Sequence, residues 1–133
     1  ALAHLRALAA TLPQSTGAPA APVYLWGPRG SGKTHLLRAL ADAADERGQR
    51  VGWFDAASAA PWHFDEGWSL VLLDACEALD AGQQQAAFAL FIEAGTHGTP
   101  IAAAGAVPPI DLPLRDDLRT RLAWGHVFAL ERE

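Results

Sequence analysis

Eight consecutive residues, Gly27-Pro28-Arg29-Gly30-Ser31-Gly32-Lys33-Thr34, follow the spacing G-x-x-x-x-G-K-[ST] in full. That spacing suits a polyphosphate. Phosphate oxygens need many donors at short range, and side chains at every position would block the approach. Gly27, Gly30 and Gly32 leave the backbone N–H groups bare and permit positive φ. The loop then feeds a helix whose first N–H groups have no internal partner. Lys33 can reach the terminal phosphates as a point charge. Thr34 offers a hydroxyl to Mg²⁺. Pro28, Arg29, Ser31 and His35 complete the stretch expected to line ATP or ADP. Lys33 is also the only lysine in the chain.

Leu70-Val71-Leu72-Leu73-Asp74 is four apolar residues and then an acid. A carboxylate at the carboxyl end of a buried strand can hold Mg²⁺ beside Thr34. ATPases with this pair of motifs usually carry a second acid next, which orients the attacking water. Here Ala75 follows, and Glu77, three positions past Asp74, need not face the same way. Loss of a general base lowers a rate by about 10²–10⁴. The stretch Ala103-Ala104-Gly105-Ala106 likewise brings no polar side chain to a γ-phosphate. Weak intrinsic hydrolysis is therefore expected, and whether the chain is an enzyme in its own right stays open.

The elements that must position these residues alternate. Leu2, Leu5, Leu8 and Leu12 lie at helical spacing, so the opening reads as an amphipathic helix rather than a signal peptide. A Pro/Ser/Gly/Ala connector runs from Pro13 to Pro22. Strands are expected at Val23–Trp26, Val51–Asp55, Leu70–Asp74, Pro100–Ala104 and Val127–Leu130. Helices are expected from about Lys33 to Arg47, from about Ala81 to Glu93 with Phe88, Phe91 and Ile92 inward, and from Arg115 to Leu122. Ala56 to Ser69 reads as irregular and aromatic. This alternation predicts an α/β fold: three layers, α/β/α, around a mostly parallel sheet. A strand between the two motif strands indicates the class of phosphate-loop proteins with that extra strand.

The chain has 133 residues, half of them hydrophobic, which is one domain with a real core. The formal net charge of −5 argues against a broad nucleic-acid surface. No stretch is long and apolar enough to span a membrane. Cys76 is the single cysteine, which excludes a disulfide framework and a thiolate zinc site. The five histidines show no paired metal-ligand spacing. A cytoplasmic protein is the simple expectation. The sequence starts without methionine, as a piece of a longer protein would. In Arg115-Asp116-Asp117-Leu118-Arg119-Thr120-Arg121-Leu122, Arg119 and Arg121 are two apart and point to different faces, so at most one reaches a neighbouring molecule.

Tyr24-Leu25-Trp26-Gly27 through Thr34-His35-Leu36-Leu37 resembles the initiator branch of the AAA+ ATPases. Asp117-Leu118-Arg119-Thr120-Arg121-Leu122-Ala123-Trp124-Gly125 is similar to that branch's box VII. Within the branch, Asp74-Ala75-Cys76-Glu77, Gly105 to Pro109 and Trp124-Gly125-His126-Val127 look like the Hda-type regulatory inactivators of the DnaA initiators. The resemblance implies an AAA+ base subdomain over residues 1–133, with five strands in the order 5-1-4-3-2. It implies ATP or ADP with Mg²⁺, the ion held by Thr34 and Asp74. It makes Arg121 a finger into the ATP of a DnaA-type initiator. It also implies a sliding clamp bound through an N-terminal segment, which is not visible here. A helical lid is not visible either. Neither direct sequence-specific DNA contact nor membrane attachment is expected. Ala106 stands where relatives carry a polar residue, often Asp. Three other readings remain open: a DnaA-type core, a small phosphotransferase with its substrate near Asp55, and an adaptor docking through Trp62, Phe64 and Trp68. Packed core aromatics are the favoured reading of those three residues.

Overall fold

The computed structural model describes residues 22–28 and 32–130. The opening helix, most of the connector and Arg29, Gly30 and Ser31 lie outside the described residues. The elements are β1 (Val23–Trp26), α1 (Lys33–Glu46), β2 (Arg50–Phe54), β3 (Trp68–Leu73), α2 (Ala81–His97), β4 (Ile101–Gly105), α3 (Asp116–Trp124) and β5 (His126–Ala129). Short 3₁₀ turns at Cys76–Ala78 and Pro109–Asp111 follow β3 and β4. The five strands form one sheet in the order β2-β3-β4-β1-β5. Read from the other edge, this is the order expected from the resemblance. Every strand pairing is parallel.

Strand periodicity divides the core between the two faces of the sheet. Val23, Leu25, Leu70, Leu72, Ala102 and Ala104 pack with Leu37 and Leu40 of α1. The alternate residues Tyr24, Val71, Leu73, Ile101 and Ala103 pack with α2 and α3. Strands buried on both faces read as unbroken apolar runs, and β3 is such a strand. The sheet is thus the middle of three layers.

Helix α2 starts on a capping box. Asp80 accepts from the Gln83 N–H at 2.8 Å, and the Gln83 side chain accepts from the Asp80 N–H at 2.9 Å. Gln83 is buried, and its amide also donates to the Ala56 and Ser58 carbonyls, fastening the irregular segment after β2. The inward face of α2 takes Phe91 as expected but differs from expectation at Ile92. Ala87, Leu90, Phe91 and Ala94 are buried, whereas Ile92 is 43% exposed. Phe88 and Ile92 share a stripe one turn apart, and the sheet takes the neighbouring, smaller stripe instead. The helix also runs one turn further than expected, to a left-handed Gly98.

Trp62 is buried, stacks on Phe54 at 4.8 Å and donates its indole N–H to the Ser58 carbonyl. Phe64 and Trp68 meet edge to face. These aromatics are a packed satellite of the core, which removes Trp62 from any docking patch. Leu118 of α3 is fully buried in the same cluster. Leu118→Ala is expected to destabilise the fold by about 2–5 kcal/mol, read by denaturant titration. A loss below about 1 kcal/mol contradicts this packing.

Candidate functional site

The carboxyl ends of the strands bring together Gly27, Gly32, Lys33, Thr34 and Asp74, while Arg29, Gly30 and Ser31 lie outside the described residues. β1 ends at Trp26, and the Gly27 N–H donates to the Gly105 carbonyl at 3.3 Å, extending the β1–β4 ladder. Gly32 caps α1 with φ of 86°, a conformation that excludes most side chains. Its own carbonyl takes the first helical bond, from Leu36 N–H. No side chain caps this terminus, and the first turn carries no carboxylate. The helix's own first turn therefore leaves the positive end of its dipole to be met by groups from elsewhere. The Lys33 ammonium donates to the carbonyls of Gly27 and Pro28 at 2.6 and 3.0 Å, spanning the mouth of the loop. Thr34 and His35 are exposed on the first turn.

The Thr34 hydroxyl donates to the Asp74 carboxylate at 2.7 Å, across 40 positions of sequence. Asp74 follows β3 directly, and its N–H bonds the Phe54 carbonyl of β2. A hydroxyl and a carboxylate in contact form a hard-oxygen pair suited to Mg²⁺, which takes few protein ligands and keeps phosphate and water for the rest. Among the described residues, no group of three or more His, Cys, Asp or Glu converges as a self-sufficient metal cage.

Two features of this end went unread in the sequence. Ala75 lies in the left-handed region, with φ of 53°. Its N–H is bound by Asp74 Oδ1 at 2.8 Å, so the turn is secured by the motif acid itself. Beyond it, Glu77 reaches sideways and accepts from the Ala106 N–H at 3.0 Å. No local pattern signals that contact, because it depends on β3 and β4 lying side by side. Asp55, at the end of β2, is committed to its own turn. It accepts from the Ala57 N–H at 2.8 Å and the Trp53 indole at 3.2 Å.

Tyr24 is fully buried beneath the site and donates to the Val107 carbonyl at 2.7 Å. Burial, reinforced by Cys76 and Glu77, pushes its hydroxyl far above the usual 10.0. The folded state thus favours the protonated phenol. That contribution is whole below pH 10 and is lost as pH rises beyond it. Tyr24 is the only tyrosine. The tyrosinate absorbance band is therefore expected only together with unfolding, above about pH 10. A band that appears while circular dichroism stays native contradicts this burial. Burial likewise raises the Cys76 thiol, which keeps it unreactive.

Arg121 lies elsewhere. A cavity of about 260 Å³ is lined by Pro22, Thr99 and Ile101 together with Thr120, Arg121 and Trp124. Pro22 and Ile101 mark the amino ends of β1 and β4, whereas Gly27 and Gly105 mark the carboxyl ends. Strands of this length separate the two ends by roughly 15 Å. Arg115 pairs with Asp117, and Arg119 pairs with Asp116. Among the described residues, no carboxylate pairs with Arg121, which is exposed and rests over the Phe88 ring at 5.7 Å. Trp124, one turn on, is 65% exposed. Arg119 and Arg121 thus diverge as expected.

A sequence profile of the AAA ATPase domain matches residues 2–128. The chain belongs to the AAA ATPase domain family. Its fold is similar to that of replication initiator DnaA bound to AMPPCP and single-stranded DNA, with 23% identity and a TM-score of 0.78 over 96% of this chain and 45% of that one. Domain III of the Thermotoga maritima DnaA matches at 21% identity and TM-score 0.77, over 98% of this chain and 60% of that one. DnaI matches at 13% identity and TM-score 0.71, over 98% and 81%. The chain spans about half the length of the DnaA structures it matches, and at these identities the likeness is one of fold. Among the described residues, no helix is long and apolar enough to cross a membrane.

Proposed function

We propose that this AAA domain binds ATP or ADP through residues 27–35 and regulates replication initiation. In this reading it lends Arg121, in trans, to the ATP held by a DnaA-type initiator. The observation that carries it is the placement of Arg121. The guanidinium sits at the amino end of the sheet, at the opposite end from Lys33, exposed and, among the described residues, without a carboxylate partner. A cation so placed is out of reach of its own Lys33 site and open to a neighbouring molecule's phosphates. Exposed Trp124 and the adjoining cavity give that neighbour an apolar foothold.

Within the chain's own site, Thr34 and Asp74 would hold Mg²⁺ and Lys33 would meet the terminal phosphates. The ion supplies charge neutralisation when bound. Ala75 offers no base, and Glu77 is engaged by a backbone amide. Alone, the chain is expected to turn over ATP at least about 10²-fold more slowly than an ATPase with a positioned base, read as phosphate release under saturating nucleotide. A rate equal to that of a complete ATPase contradicts the reading. The phosphotransferase alternative loses its substrate contact, since Asp55 is spent on the turn that follows β2. A sliding clamp, bound through a further segment, belongs to the proposal as a second partner. The direct test is single-turnover hydrolysis by a preloaded initiator. Acceleration on adding this chain supports the proposal, and an unchanged rate overturns it.

A further inference from the structure

We propose that Glu77 is a positioning residue of the nucleotide site, whose carboxylate holds the Gly105–Ala106 peptide against the first residue of the phosphate loop. The proposal rests on reading residues 27–34 as a nucleotide site. It starts from one peptide plane fastened at both poles. Its N–H, on Ala106, donates to Glu77 Oε1 at 3.0 Å. Its carbonyl, on Gly105, accepts from Gly27 at 3.3 Å. A carboxylate on the N–H side polarises the peptide and strengthens the bond on the carbonyl side.

The surroundings are built for this arrangement. The left-handed turn at Ala75 redirects the chain after Asp74, so that residue 77 crosses to β4. Gly105 admits the arrangement because a Cβ there would strike the Tyr24 hydroxyl and crowd Glu77 Oε1 at 3.4 Å. That hydroxyl in turn fixes the carbonyl two residues on, of Val107. The end of β4 has no polar side chain of its own, since positions 103, 104 and 106 are alanines. Glu77, from the neighbouring strand's turn, fixes that end. The carboxylate oxygen thus lies roughly 9 Å at most from the Gly27 amide, across a single peptide.

The test is the affinity of the 133-residue chain for a fluorescent Mg²⁺–ADP analogue, in wild type, Glu77→Ala and Glu77→Gln, on samples with native circular dichroism. A hydrogen bond to a charged acceptor predicts about a tenfold loss of affinity in Glu77→Ala. Glu77→Gln keeps an acceptor oxygen but loses the charge that polarises the peptide, so its affinity falls between those of wild type and Glu77→Ala. Wild-type affinity in Glu77→Ala, or equal weakening in both variants, overturns the proposal. A measurement on wild type alone covers the case in which Glu77→Ala does not fold. The Ala106 amide is expected to be protected from hydrogen exchange, and unprotected exchange overturns the proposal. A wild-type chain that binds no nucleotide would instead sink the nucleotide reading, and this proposal with it. Binding by wild type with no response to Glu77 sinks this proposal alone.

Discussion

Arg121→Ala is expected to lower the rate at which this chain makes an initiator hydrolyse its ATP by about 10³-fold, the lower end of what a finger supplied in trans contributes. The reasoning is electrostatic. Charge that develops on a transferring phosphoryl group is stabilised by a cation held in place beforehand. Arg121 is exposed, stands over the Phe88 ring and, among the described residues, has no carboxylate neighbour to neutralise it. Arg121→Lys is expected to restore little, because an ammonium lacks the planar fork. Arg119→Ala is the matched control. Arg119 is already paired with Asp116 and donates to the Ile110 carbonyl, so its loss should change the stimulated rate by less than about threefold. The measurement is single-turnover hydrolysis by preloaded initiator at saturating regulator. Equal losses in the Arg119 and Arg121 proteins would assign the effect to general surface charge.

Lys33→Met is expected to weaken nucleotide binding about 100-fold, the equivalent of roughly 3 kcal/mol for one charge-assisted contact. The ammonium already spans the Gly27 and Pro28 carbonyls at the mouth of the loop. No other lysine exists to substitute for it. Methionine keeps most of the stem, so the change removes charge with little effect on packing. Titration calorimetry with Mg²⁺–ADP reads the loss. Wild-type affinity in this variant would place the nucleotide elsewhere.

The fold was legible because its signals are local. Leu70 to Leu73 is an apolar run that only a strand buried on both faces tolerates, and it is one. The helix expected from about Ala81 does start there, on the Asp80–Gln83 capping box. The glycine loop's signal is local as well, since the whole motif lies within eight residues. What escaped depends on which strands are neighbours. Phe88 and Ile92 looked inward by size, but the sheet accepts the stripe of Ala87, Leu90, Phe91 and Ala94. Glu77 and Ala106 are 29 positions apart, and only the pairing of β3 with β4 brings them into contact. Spacing put Arg119 and Arg121 on different faces without saying which of them is exposed. That Arg121 sits at the far end of the sheet from Lys33 follows only from the direction of α3 between β4 and β5.

The most direct test of the nucleotide site replaces Mg²⁺ with Mn²⁺ and follows paramagnetic broadening of backbone amide signals. With ATP or ADP present, the resonances of Thr34 and Asp74 should broaden first, at substoichiometric metal, and Asp74→Asn should abolish the effect. Broadening centred elsewhere, or nucleotide bound while these two signals stay sharp, would contradict a shared ion at that hydroxyl and carboxylate.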